Sequence, residues 1–212
     1  HWGAKAALAG LAAAGAVVAA RRVGVGRRTA PTSVSLPRGR VVITGASAGI
    51  GEEFARQLAA AGFDLTLVAR REDRLRTLAD ELSAAYGIRA GAWPADLADE
   101  ADVAALAGAR AAADDLALLV NNAGFGTRGE FIEVELERTL DMIRVHVLAT
   151  VPLCRAAAPG MIARGGGAII NGSSIAAFLP SAGGAPYRAA QAYCIPLRQA
   201  PSPETPRHRE PG

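Results

Sequence analysis

From Val41 onward, short apolar runs rich in β-branched residues alternate with longer stretches of helical pattern. VVIT from Val41 precedes Ile50 to Ala61, DLTLVA from Asp64 precedes Glu72 to Tyr86, and IRAGAW from Ile88 precedes Asp99 to Ala113. LALLV from Leu116 precedes Leu136 to Arg164, and AIIN from Ala168 follows. Strand and helix in such succession require crossovers, and right-handed crossovers build a parallel sheet covered on both faces. The predicted fold class is α/β, a doubly wound, Rossmann-like parallel sheet.

Composition matters mainly at the two ends of the 212 residues. The first 40 residues carry seven basic side chains and no acid, whereas Val41 to Tyr193 carries thirteen basic against eighteen acidic. That acidic body has no basic stripe interleaved with aromatics, so no nucleic-acid partner is expected. Ala6 to Ala20 is an uncharged run of 15 residues followed by RRVGVGRR, and a membrane span needs about 17–25. Two readings stay open: weak membrane association through residues 6–28, or an Ala-rich tail with no membrane role. Five of the twelve prolines fall in the last 17 residues, a density no helix interior accepts. The expected organisation is an N-terminal segment and linker over 1–39, a domain over 40–195, and a Pro-rich disordered tail over 196–212. Cys154 and Cys194 stand in no metal-ligand spacing. They read as free thiols in a reducing, cytoplasmic setting, and no metal site is expected.

The sharpest local signal is TGASAGIGEEFARQLA from Thr44 to Ala59. A buried strand enters a turn bearing Gly45, Gly49 and Gly51, and a helix leaves it. Glycines allow a sharp turn and close ligand approach, while the free N–H groups and positive end of the helix attract a pyrophosphate. A turn used only for tight packing is the competing reading. The second strand ends LVARRE, so Arg70 and Arg71 stand where an NAD site usually places an acid. Guanidinium groups there suit a 2′-phosphate, which favours NADP over NAD.

With these motifs in place, the sequence resembles the short-chain dehydrogenase/reductase family over roughly Arg40 to Tyr193. The markers occur in order: TGASAGIG, Asp96 in PADLAD, NNAG at Asn121 to Gly124, GSS at Gly172 to Ser174, and Tyr187. The resemblance implies that Gly45, Ser47, Gly49, Ile50 and Gly51 hold the pyrophosphate and nearby ribose. It implies that Asp96 and Leu97 flank the adenine, and that Asn122, Ala123 and Gly124 line the ribose, with Asn121 bracing the sheet. The implied chemistry is hydride transfer between nicotinamide and a small-molecule carbonyl or alcohol, by a protein that associates with its own copies. Tyr187 would pass the proton and Ser174 would hydrogen-bond the substrate oxygen, with Ser173 a neighbour.

Three departures qualify that expectation. The family pattern is YxxxK, but this chain reads YRAAQ, with Gln191 in the lysine's place. A free phenol has a pKa of about 10, and its anion needs nearby positive charge. Gln191 can bond the nicotinamide ribose but supplies no charge, and Lys5 is the only lysine in the chain. His146 occupies a helix position where the family tends to have asparagine; it could relay a proton or simply be a polar residue on a helix face. Finally, the family's further strands and substrate loop do not follow the tyrosine helix. The last strands are therefore expected to be missing, leaving AIIN as an exposed sheet edge weakened by Gly172. A catalytically impaired nucleotide-binding protein, or a truncated or frameshifted product, is the alternative to an active oxidoreductase.

Overall fold

A computed structural model describes residues 16–22, 36–127, 129–178 and 183–197 of the chain. Six strands form one sheet: β1 (Ala16–Arg22), β2 (Arg40–Thr44), β3 (Asp64–Ala69), β4 (Ala90–Pro94), β5 (Leu116–Asn121) and β6 (Ala168–Ser174). Their order across the sheet is β1-β6-β5-β2-β3-β4. The five strands from β2 onward are mutually parallel. The helices between them are α1 (Gly49–Ala60), α2 (Glu72–Tyr86), α3 (Glu100–Leu106), α4 (Leu136–Ile143) and α5 (Thr150–Ala163). A sixth, α6 (Ala185–Leu197), follows β6.

Both faces of the sheet are buried because side chains alternate along each strand. On β2, Val41 and Ile43 join Phe54, Leu58 and Leu75 under α1 and α2. Val42, between them, joins Leu106, Leu153 and Met161 on the opposite face. Two wide apolar layers of this kind supply most of the stabilisation. The helix from Leu136 to Ala163 is 28 residues long and apolar enough to cross a membrane by length and composition. Here Met142, Leu153 and Met161 are fully buried against the rest of the fold. A π turn at Arg144–Leu148 separates α4 from α5, with the Ala149 amide reaching back to the Arg144 carbonyl at 2.8 Å.

The expectation of an exposed edge at AIIN is corrected. β1 pairs with β6 antiparallel along its whole length, Ala16 opposite Ser174 and Arg22 opposite Ala168. The run Ala16 to Ala20 is therefore strand, while residues 6–15 and 23–28, on which the membrane reading also rests, lie outside the described residues. An unpaired row of backbone donors and acceptors is costly, and a short Val/Ala segment can extend and fill it. Gly172 is also not a simple weakness: a Cβ there would stand 3.2 Å from the Asn121 carbonyl oxygen. Bare backbone at this position lets β6 lie close to the end of β5.

Proline at Val18, opposite Gly172, removes a donor and disrupts the β1–β6 ladder. In amide exchange, the β6 amides directed at β1 should lose protection about tenfold or more, while those directed at β5 keep theirs. Unchanged protection on both sides would mean that β1 does not hold the edge.

Candidate dinucleotide and catalytic site

The site starts where β2 ends. Gly45 (φ 69°) and Gly49 (φ 59°) both adopt left-handed backbone, which turns the chain sharply into α1. The residue ahead of α1, Ala48, offers no side-chain cap to the helix. The first-turn N–H groups therefore face outward at the positive end of the helix, as an anion site requires. Gly51 has a different role. A Cβ on it would collide with the Gly45 carbonyl and stand 2.6 Å from Asn122 Nδ2. Gly45 in turn has room only for hydrogen, with Ala123 Cα 2.8 Å from where its Cβ would be. The helix, the turn and the NNAG segment thus close on one another without side chains between them.

This closure leaves an open cleft of about 550 Å³. Ten of the twelve residues expected to bind the cofactor line it, from Gly45, Ser47 and Ile50 through Arg70, Arg71, Asp96 and Leu97 to Asn122, Ala123 and Gly124. Gly49 and Gly51 shape the turn beneath it. At one end, Arg71 arches over the turn, donating through Nε and Nη2 to Ser47 Oγ at 3.1 and 2.8 Å. Arg70 Nη1 lies 3.7 Å from Asp96 Oδ2 and is largely exposed. Asp96 is held in place: its amide donates to Asp102 at 2.8 Å, and its Oδ1 accepts from Ala98 N at 3.0 Å. Two cations beside a helix N-terminus and a glycine turn form a cradle that fits a phosphorylated dinucleotide.

A smaller cavity of about 160 Å³ adjoins the cleft, sharing Ile50 and residues 122–125 with it, and its lining also includes His146, Ser173, Tyr187 and Gln191. Tyr187 and Gln191 lie four apart on α6 and share a face. His146 sits on the π turn, an irregularity common at functional sites, with the rings of His146 and Tyr187 edge to face at 5.6 Å. Its carbonyl accepts from Thr150 Oγ1 at 2.9 Å. Burial holds the His146 ring below the usual histidine range, and its bond with the Phe125 backbone pulls partly the other way. Gly124 is again a matter of space, since a Cβ there would collide with the imidazole. Ser173 Oγ donates to the Gln191 carbonyl at 2.8 Å. Ser174 ends β6 and, unlike Ser173, lines neither cavity; its Oγ accepts from Ala176 N at 3.2 Å.

Asn121 lines neither cavity. Its Nδ2 donates to Asn171 Oδ1 at 2.8 Å and lies 3.4 Å from Cys154 Sγ. Both cysteines are free and buried; burial pushes the Cys154 thiol up to about 11. Among the described residues no group of three or more His, Cys, Asp or Glu could hold a metal ion. Sequence reasoning missed the π turn and the pairing of His146 with Gln191. Thr150, four residues after His146, was the one local sign of irregular helix there.

A family model described as short chain dehydrogenase matches residues 39–209. The very-long-chain 3-oxoacyl-CoA reductase of Laccaria bicolor is 35% identical over 163 residues, covering 75% of this chain and 48% of that protein. Its counterpart in Anas platyrhynchos is 33% identical over 144 residues, covering 66% and 46%. The chain spans about half the length of these curated relatives. Among solved structures, a short-chain dehydrogenase from Sphingobium yanoikuyae in complex with NADPH superposes with a TM-score of 0.72 at 36% identity, over 76% of this chain and 63% of that one. The L-sorbose reductase of Gluconobacter frateurii, complexed with NADPH and L-sorbose, gives 0.69 at 32% identity over 79% and 64%.

Gly51 and Gly49 differ in what a methyl group would meet. Gly51→Ala should destabilise by about 1–3 kcal/mol, read as a fall in Tm of about 2–4 °C for each kcal/mol. Gly49→Ala meets nothing within 4 Å and should cost only the strained left-handed backbone, about 1 kcal/mol. Equal losses would show that the turn does not close as described.

Proposed function

Because the chain belongs to the short-chain dehydrogenase family, we propose that it is an NADP-preferring reductase acting on a carbonyl compound with an apolar chain. The observation that carries the coenzyme preference is the pair Arg70 and Arg71 beside the uncapped start of α1. NADPH in the sequence-similar Sphingobium structure supports the same reading. The substrate class draws on the names of the 3-oxoacyl-CoA reductases and on four exposed apolar side chains. Phe131 and Ile132 follow β5, and Ile175 and Phe178 follow β6. All four lie on loops leaving the carboxyl ends of parallel strands, where open α/β sheets receive their ligands.

The coenzyme would supply a hydride to the carbonyl carbon. The chain's own residues bind, orient and transfer a proton. Tyr187 gives its phenol proton to the carbonyl oxygen as that oxygen gains charge. Hydrogen-bond direction separates the two serines. Ser173 lines the small cavity but commits its proton to the Gln191 backbone carbonyl, whereas Ser174, one residue on, accepts from Ala176 and has a proton left to offer the substrate oxygen. His146 and Gln191 complete the wall behind Tyr187. Gln191, in place of a lysine, also favours a second reading, a protein that binds NADPH and turns it over slowly or not at all.

NADPH should raise the Tm of the chain, and more than NADH at equal concentration. The double substitution Arg70→Ala, Arg71→Ala should reduce that preference by about tenfold to a hundredfold. No shift with either coenzyme would overturn both readings. A shift with no NADPH oxidised in the presence of a 3-oxoacyl thioester would select the second.

A further inference from the structure

The small cavity holds one imidazole, whose Nε2 faces both a donor and an acceptor and whose Nδ1 faces a carboxamide. His146 Nε2 lies 3.0 Å from the Phe125 carbonyl oxygen and 3.2 Å from the Phe125 amide nitrogen. His146 Nδ1 lies 3.2 Å from Gln191 Nε2. The other end of that carboxamide, Gln191 Oε1, is buried with no hydrogen-bond partner among the described residues. Gln191 is 4% exposed, so leaving that oxygen without a protein partner is costly. A half-turn of the amide exchanges Oε1 for Nε2 without changing its shape.

We propose that Gln191 is the positioning residue of a buried proton-holding pair: by turning its amide it lets His146 carry a proton, and the resulting imidazolium supplies Tyr187 with the positive charge that residue 191 itself lacks. The catalytic consequence rests on the reductase reading, but the pair itself does not.

Three states of the ring find partners in the same place. With the proton on Nε2, that nitrogen donates to the Phe125 carbonyl and Nδ1 accepts from Gln191 Nε2. With the proton on Nδ1, the turned amide accepts through Oε1 while Nε2 accepts from the Phe125 N–H. With both nitrogens protonated, they donate to Gln191 Oε1 and the Phe125 carbonyl. A buried histidine braced in a single tautomer would lose a bond on taking up a proton, and this one does not. The uptake is a plain protonation, in which one proton comes from bulk water and one N–H bond forms. When Tyr187 gives its own proton to the reduced oxygen, its phenol O–H bond breaks and the phenolate left behind faces a cation across an edge-to-face contact of 5.6 Å.

Two arginines stand near the pair, Arg138 over the Phe125 ring at 5.7 Å and Arg188 next to Tyr187 on α6, and both disfavour a second cation. Tyr187 and Cys194 face the π turn from α6, with Cys194 Sγ 3.6 Å from the His146 carbonyl. The loop 122–127 contributes none. On the ring's own helix, Asp141 and Arg144 are paired with each other at 2.7 Å. Burial disfavours the charged ring, so the pair fills with protons only as pH falls below the ordinary histidine range.

The test is a ¹⁵N NMR titration of the full chain, whose three histidines are His1, His146 and His208. His146 should titrate below the ordinary value. Gln191→Met, which can neither accept from Nδ1–H nor donate to Nδ1, should lower the midpoint by about one further pH unit, the excess of a hydrogen bond to the charged ring over one to the neutral ring. Gln191→Glu should raise the midpoint by at least about as much, and it also decides the matter if the methionine variant does not fold. The limb on which NADPH oxidation falls as pH rises should move in the same order as the NMR midpoints. An unmoved His146 midpoint across the variants overturns the proposal, as does a pH profile that ignores midpoints that do move. If no chain oxidises NADPH at all, the reductase reading fails, and the NMR midpoints alone decide whether the pair exists.

Discussion

One buried hydroxyl fixes the geometry on which both cavities depend. Thr44, the last residue of β2, is 1% exposed. Its Oγ1 reaches the Val120 carbonyl at 3.3 Å and accepts from the amides of Asn122 and Ala123, each at 3.0 Å. Asn122 Nδ2 completes the knot by donating to the Thr44 carbonyl at 3.1 Å. The hydroxyl uses its one donor and both acceptor sites, so the end of β2 and the NNAG segment after β5 cannot shift independently. Gly51 then presses α1 onto the knot, and Gly124 admits the imidazole of His146 on the far side. From the glycine turn to α6, every wall of the site is referred to this threonine.

How much of this was legible depended on whether the controlling contact was local. The alternation of β-branched runs with helical pattern placed β2 to β6 and the helices between them within a few residues, because burial on two faces writes itself into composition. The glycine turn and the two arginines were legible for the same reason, since backbone conformation and charge are properties of single positions. The edge role of Ala16–Arg22 was not legible, because an Ala/Val run carries no mark of which strand it will meet. The partnership of His146 with Gln191 spans 45 residues and depends on a π turn that shifts the helix register. Gly172 was read as a flaw in a strand, and its reason became visible only when Asn121 stood next to it.

The polar interior near β6 links stability to site geometry. Asn121 and Asn171 stand opposite each other in the β5–β6 register and share a side-chain hydrogen bond beside Cys154. A single-residue slip of β6 would break that bond and turn its side chains to the opposite faces. Ser173 and Ser174 would then exchange roles. The protonated Cys154 thiol fills space and takes part as a weak donor. A polar pair between β5 and β6 therefore holds Ser173, rather than Ser174, against the small cavity.

The antiparallel edge strand also imposes a timetable on the chain. Ala16 to Arg22 emerge from a ribosome long before their partners, Ser174 to Ala168. At about 5–20 residues per second, the first strand waits roughly 10–30 s for its neighbour to be synthesised. All five parallel strands can associate before it docks, so closing the edge is a late event with a large loop already fixed. During that interval a nascent chain holds β1 and the side of β5 that β6 will cover unpaired, and assistance from chaperones would matter most then.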